Sequence, residues 1–169
     1  EGESDEPVLM DFGLAKQLAA PVETWVSVTG QVVGTLPYMS PEKARGNPDL
    51  IDIRTDIYSM GVILYELLTG HYPYPVVGQM ADVLRNIAEV PPTPPSRVWN
   101  PDSGVVQQSS RGRIRKHCPI DKDVETIVLK SLAKERERRY QSAGDVSLEI
   151  GRYLRGDPIE ARRNSTFYS

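Results

Sequence analysis

Thr55-Asp-Ile-Tyr-Ser-Met-Gly-Val-Ile-Leu-Tyr-Glu-Leu-Leu68 is the stretch on which the fold turns, the longest helix-forming region without a proline. Ile57, Met60, Ile63, Leu64, Leu67 and Leu68 cover one broad face at helical spacing, while Tyr58, Val62 and Tyr65 wrap round towards the other. A helix that is apolar nearly all round belongs in a core rather than on a surface. It is too short, and too interrupted by Glu66, to span a bilayer. Thr55 suits an N-cap, Asp56 in the first turn suits the helix dipole, and Gly70 stands where a left-handed C-terminal cap is expected. Gly61 in mid-helix costs about 1 kcal/mol relative to alanine, which predicts close approach of another backbone. The spacing therefore predicts a central helix on which the other elements pack.

A chain of 169 residues is long enough for one domain with a real core. Its 39% hydrophobic and 25% charged content is that of a soluble globular protein, and a net charge of -3 gives no support for nucleic-acid binding. The lone cysteine, Cys118, excludes an internal disulfide and fits a reducing compartment. No signal peptide or transmembrane run is visible, and a start at Glu1 inside an acidic, frayed end reads as a piece of something longer.

Upstream of the central helix, Pro7-Val8-Leu9-Met10 reads as a short strand leading into Asp11-Phe12-Gly13-Leu14-Ala15-Lys16. Residues 17–33 show no clean period and carry Thr24, Ser27 and Thr29; loops of this length are often functional. Then comes Gly34-Thr35-Leu36-Pro37-Tyr38-Met39-Ser40-Pro41-Glu42, with Ser40 and Pro41 opening a short helix through Ala44 and Gly46-Asn47-Pro48 ending it. Taken in order, the Asp-Phe-Gly triplet, the hydroxyl-bearing loop, the Gly-Thr-x-x-Tyr-Met-Ser-Pro-Glu run and the central helix resemble the activation segment and core helix of bacterial, eukaryotic-like serine/threonine protein kinases. Ser-Pro-Glu here replaces the usual Ala-Pro-Glu. The resemblance covers roughly residues 7–155 and implies a mainly α fold, a kinase C-terminal lobe with a short β remnant at residues 7–10.

The downstream pattern accords with such a lobe. Met80, Val83, Leu84 and Ile87 mark an amphipathic helix in residues 78–90, and Pro91-Pro92-Thr93-Pro94-Pro95 reads as a stiff extended connector. Residues 96–120 look like a loop insertion, locally basic through Arg111, Arg113, Arg115, Lys116 and His117. His117 and Cys118 have no second pair and do not make a zinc site. Asp121 to Ala133 is amphipathic, Lys134 to Tyr140 reads as a charged loop, and Ala143 to Leu154 as the last helix, stopped at Gly156-Asp157-Pro158. Residues 1–155 are thus expected to be a partial kinase domain, and 156–169, with Arg162 and Arg163, a basic tail or linker without a packing pattern.

The resemblance also assigns roles. Asp11 matches the aspartate that holds Mg²⁺ against the ATP phosphates, and magnesium's preference for hard carboxylate oxygen suits it. Gly13 lets the backbone bend, and Phe12 packs inward. Thr35 matches the hydroxyl that helps place the acceptor beside the catalytic base, and Leu36, Pro37, Tyr38 and Met39 form the floor under the substrate. Ser40, Pro41 and Glu42 close the segment. Glu42 pairs in the family with a buried arginine, here Arg139; Arg136 stands where the pattern usually has proline, which leaves Arg138 as an alternative. Asp56 matches the carboxylate that accepts hydrogen bonds from the catalytic-loop backbone. Thr29 and Ser27, with Thr24 behind them, are the phosphorylation candidates. ATP and Mg²⁺ are the implied cofactors, and protein substrates with a kinase dimer the implied partners. No nucleic acid and no membrane contact from this piece are expected. The location is cytoplasmic, with a parent protein that can be membrane-anchored beyond the tail. The phosphate-binding glycine loop, the strand lysine and the catalytic base are not in the sequence, so the piece alone is expected to be inactive. The alternative reading is a pseudokinase or helical docking module that signals by binding only.

Overall fold

The computed structural model describes residues 36–99 and 118–163. Their order is a 3-10 turn Leu36–Tyr38, α1 (Pro41–Ala44), a 3-10 turn Pro48–Leu50, α2 (Ile53–Thr69), α3 (Met80–Glu89), α4 (Pro95–Val98), α5 (Lys122–Ser131), a 3-10 turn Arg136–Arg138, α6 (Ala143–Arg155) and α7 (Glu160–Arg163). Among the described residues the fold is helical, without a strand; residues 7–10 lie outside them. No helix of the described residues is long and apolar enough to cross a membrane.

α2 is the central element, and it begins earlier than its apolar pattern implies. Asp52, not Thr55, is the N-cap: its carboxylate accepts from the Arg54 amide at 2.9 Å. Aspartate caps at least as well as threonine, and the Thr55 hydroxyl is used elsewhere, donating to Glu42 at 2.8 Å. At the other end Gly70 takes the left-handed conformation, φ 72°, and returns its N–H to Glu66 at 2.7 Å. The expectation of burial all round is corrected. Thr55, Ile57, Tyr58, Gly61, Val62, Tyr65 and Thr69 are buried, whereas Ile63 is 47% and Leu67 68% exposed. The tyrosine side is buried; of the face read as the broad one, Ile57 is buried and Met60, Leu64 and Leu68 pack half-buried against the clusters, while Ile63 and Leu67 face solvent.

Two apolar clusters flank this helix. One joins Tyr58, Val62 and Tyr65 to Leu36, to Val83 and Ile87 of α3, and to Val128 and Leu132. The other joins Ile57 to Ile127 of α5, Tyr140, and Val146 of α6. Full burial of each such aliphatic chain contributes about 1.5–3 kcal/mol. A Cβ on Gly61 would stand 2.9 Å from Ser131 Cβ and 3.2 Å from Leu132 Cδ2, so α2 and α5 touch across the missing side chain.

Several boundaries differ from the sequence reading. Pro95 opens a four-residue helix, so the region read as an insertion from residue 96 is ordered at its start; residues 100–117 lie outside the described part. The charged run 134–140 contains a 3-10 turn and two buried side chains, Arg139 and Tyr140. The tail reading fails for its first residues: Ile159 is 1% exposed, packed with Ala161 in the second cluster, and Glu149 accepts the Glu160 and Ala161 amides at 2.6 and 3.0 Å. Two apolar residues in a short segment give no periodicity, which is why the sequence shows no pattern there.

Candidate functional site

Residues 36–42 cross the first cluster as a turn followed by the start of α1. Pro37 permits the 3-10 turn and offers no N–H; Met39 closes it by donating to the Leu36 carbonyl at 3.0 Å. Ser40 then caps α1, its hydroxyl accepting weakly from the Lys43 amide at 3.4 Å, with Pro41 in the first helical position. So short a segment cannot bury enough apolar surface to hold itself, and polar groups from its neighbours fix it. Tyr74 Oη donates to the Pro37 carbonyl at 3.2 Å, and Ser59 Oγ to the Tyr38 carbonyl at 2.8 Å. Tyr38 Oη donates to Glu66 Oε2 at 2.6 Å and stacks edge-on against Tyr72, centroids 5.8 Å apart.

The segment ends in a buried ion pair. Arg139 Nη1 and Nη2 donate to Glu42 Oε1 and Oε2 at 2.9 and 2.8 Å. The side chains are 0% and 2% exposed. Arg139 also reaches the carbonyls of Ala133, Arg54 and Lys134 at 2.7, 3.1 and 3.1 Å, so each guanidinium N–H has an acceptor. The guanidinium lies 4.8 Å from the Tyr58 ring centroid. Burial pushes the Glu42 carboxyl up, but hydrogen bonds from Arg139 and Thr55 outweigh it and hold the group at about 2. Of the two arginines left open by the sequence, Arg139 makes this pair; Arg138 is half-exposed beside Glu135.

Arg136, where the family pattern has proline, donates to the Leu50 carbonyl at 2.7 Å and to Asp52 at 2.9 Å. Asp52 also holds Arg54 at 2.7 Å. Hydrogen bonds from Arg54 draw its carboxyl down to about 2. Charge at residues 52, 54 and 136 thus stitches the start of α2 to the 134–139 loop.

The structure brings Glu42, Arg139 and Thr55 together, with Leu36 to Pro41 leading directly into Glu42. Asp56 is not buried with them but exposed on the first turn of α2. Water can reach its carboxylate. Asp11, Phe12, Gly13, Thr24, Ser27, Thr29 and Thr35 lie outside the described residues. Among the described residues no group of three or more His, Cys, Asp or Glu side chains could hold a metal ion. The sequence reading missed Lys134, Tyr58 and Tyr74. Lys134 Nζ donates to the Ile87 carbonyl at 2.7 Å and to Tyr58 Oη at 3.0 Å, and lies 4.3 Å from the Tyr74 ring centroid. Burial, with the nearby Arg139 and Arg45 charges, lowers its ammonium to about 7. In sequence it is one charge in a charged run, and the tyrosines look like ordinary core.

Comparison with known proteins places these features in a family. The protein kinase domain family matches residues 2–146. The chain is 37% identical over 153 residues to the serine/threonine-protein kinase PknB of Mycobacterium leprae, covering 90% of this chain and 21% of that protein. It is 34% identical to a probable serine/threonine-protein kinase of Streptomyces coelicolor over 90% of this chain and 20% of that protein. It is 35% identical to a probable serine/threonine-protein kinase PknB of Bifidobacterium longum, over 92% and 20%. The chain spans about a fifth of the length of these curated relatives. It belongs to the protein kinase domain family.

Proposed function

We propose that the protein carrying this chain is an ATP-dependent serine/threonine protein kinase, and that residues 36–163 are the part of its C-terminal lobe that presents the acceptor hydroxyl. The observation that supports this reading is the buried Glu42–Arg139 pair at the end of the segment Leu36 to Met39, whose Pro37 and Tyr38 carbonyls accept from Tyr74 and Ser59; we take that segment as the acceptor floor. Phosphoryl transfer asks a protein mainly for positioning and charge stabilisation. The described residues supply positioning: they fix the height and register of a short segment along which an extended acceptor can lie.

The nucleotide side falls to residues outside the described part. The Asp11 carboxylate suits Mg²⁺, and Mg-ATP, when bound, supplies the phosphoryl group. Thr35 stands next to the floor in sequence and would orient the acceptor hydroxyl. Asp56, exposed on α2, would accept backbone N–H groups of the catalytic loop. Phosphate on Thr29, with Ser27 assisting, would order residues 17–33 by pairing with arginine, Thr24 being a third, weaker candidate. The domain would work in the cytoplasm on protein substrates, with a second kinase copy as a further partner.

The test is transfer by the complete protein, supplied with Mg-ATP and a generic protein substrate, with phosphorylated residues read by mass spectrometry. Phosphoserine or phosphothreonine that disappears in Asp11→Ala supports the assignment. Nucleotide binding without transfer would select the binding-only pseudokinase, and phosphotyrosine alone would overturn the specificity.

A further inference from the structure

The Pro37 carbonyl can only accept, and the hydroxyl that reaches it is Tyr74 Oη at 3.2 Å. That fixes the direction of everything behind it. Having donated its one hydrogen, Tyr74 accepts from Tyr58 Oη at 3.2 Å; Tyr58, having donated in turn, accepts from Lys134 Nζ at 3.0 Å. Lys134 heads the chain, since charged or neutral it has N–H groups to donate, and its second hydrogen bond, to the Ile87 carbonyl at 2.7 Å, anchors it on the last turn of α3. Its Nζ also lies 4.3 Å from the Tyr74 ring centroid, so the ring is held on its face as well as at its hydroxyl. Tyr58 and Tyr74 are 0% and 4% exposed, which removes water as a competing partner. Four segments far apart in sequence, at residues 37, 58, 74 and 134, are joined in one directional chain that ends on the floor.

We propose that Tyr74, held by Tyr58 and Lys134, is a positioning residue for the protein acceptor: it sets the height of the Pro37 peptide and with it the Leu36–Tyr38 turn. The inference rests on the kinase reading above and extends it to groups that touch neither substrate nor nucleotide. The Tyr74 ring fills the core whether or not it carries a hydroxyl, so Tyr74→Phe keeps the packing. It leaves the Pro37 carbonyl unpaired and the Tyr58 hydroxyl without its acceptor. In a low-dielectric site those losses loosen the turn rather than unfold the lobe.

The experiment uses the complete protein and two readouts. In steady-state kinetics, Tyr74→Phe should raise KM for a peptide acceptor about threefold to tenfold, the equivalent of one buried hydrogen bond, and leave KM for ATP unchanged. Lys134→Met should move peptide KM in the same direction, and Lys134→Arg, which still donates, should restore it. The double variant should be no worse than Tyr74→Phe, because both break one chain. In hydrogen exchange the Tyr38 and Met39 amides should lose protection in Tyr74→Phe. Peptide KM within about twofold of the parent in an active Tyr74→Phe enzyme, or equal losses towards ATP and peptide, would overturn the proposal. If the parent protein transfers no phosphate, the kinase reading fails, and exchange alone then decides: unchanged protection of residues 36–42 overturns the inference too. Should Tyr74→Phe not fold, Lys134→Met is read in the same two ways.

Discussion

Removing Arg139 tests the site most directly. Arg139→Ala deletes the hydrogen bonds to Glu42 and those to the carbonyls of Ala133, Arg54 and Lys134. What remains is a carboxylate 2% exposed, with Thr55 Oγ1 as its remaining side-chain donor at 2.8 Å. Breaking a buried pair from one side leaves an uncompensated charge and costs about 3–5 kcal/mol. Against a total stability of about 5–15 kcal/mol for a domain, that is enough to abolish folding at the lower end. The assay is urea unfolding of the complete protein, read as a fall in midpoint at constant slope. Arg138→Ala, half-exposed beside Glu135 at 3.9 Å, is the comparison and should cost less than about 1 kcal/mol. The double change Glu42→Gln, Arg139→Met should recover part of the loss, since it removes both charges together. Acid should act through the same pair. Glu42 is held at about 2 against 4.5 unfolded, so its stabilisation is present above the unfolded value and is lost as pH falls towards 2. An Arg139→Ala loss under about 0.5 kcal/mol, the value for an exposed pair, would refute the reasoning.

Gly61→Ala gains helix propensity of about 1 kcal/mol yet brings a methyl to 2.9 Å from Ser131 Cβ, so net destabilisation of about 1–3 kcal/mol is expected in thermal unfolding; a rise in Tm would show that α5 gives way freely. Lys134, faced by Tyr58, Tyr74, Arg139, Arg45 and Glu135, should make stability rise with pH. Its folded value of about 7 lies below 10.5 unfolded, so on acidification the unfolded chain takes the proton first and the penalty is complete only below 7. Stability that stays flat from pH 7 to 10, or whose slope is unaltered in Lys134→Met, would exclude this. Phosphate mapped on the active complete protein should fall on Thr29 or Ser27, and Ser27→Ala, Thr29→Ala should lose activity; a double variant that keeps full activity after phosphatase treatment removes the loop as the switch.

The helices were legible because their signals are local. The run 55–68, the spacing of Met80, Val83, Leu84 and Ile87, and the Gly70 stop need only neighbouring residues, and α2, α3 and the left-handed cap stand where they point. The start of α2 was misread because Asp52 and Thr55 are both good caps, and what separates them is a tertiary contact, Thr55 to Glu42. The exposed Ile63 and Leu67 have the same cause: composition says that a helix is apolar, not which side its neighbours take. The meeting of Glu42 and Arg139 followed from family resemblance alone, since no periodicity links positions 97 apart. Lys134 gave no signal, because a lysine is read as solvated until something is shown to cover it.

The way residues 36–42 are held has a physical reason. Apolar contact is non-directional, so a core of leucines would tolerate a segment displaced by a fraction of an ångström. Hydrogen bonds weaken steeply off their distance and angle. Around residues 36–42 the anchors are Tyr74 on Pro37, Ser59 on Tyr38, Glu66 on the Tyr38 hydroxyl, and Arg139 with Thr55 on Glu42. Three of those partners sit on α2, at positions 55, 59 and 66, and a fourth reaches the helix through Tyr58. The central helix thus serves as a ruler as well as a core element: one rigid rod carries the donors and acceptors that define where the segment lies. Glycine at 61 lets α5 press against that rod, and Asp52 with Arg54 and Arg136 fixes its first turn. A segment placed in this way keeps its register, which the proposed transfer to a single acceptor hydroxyl would require.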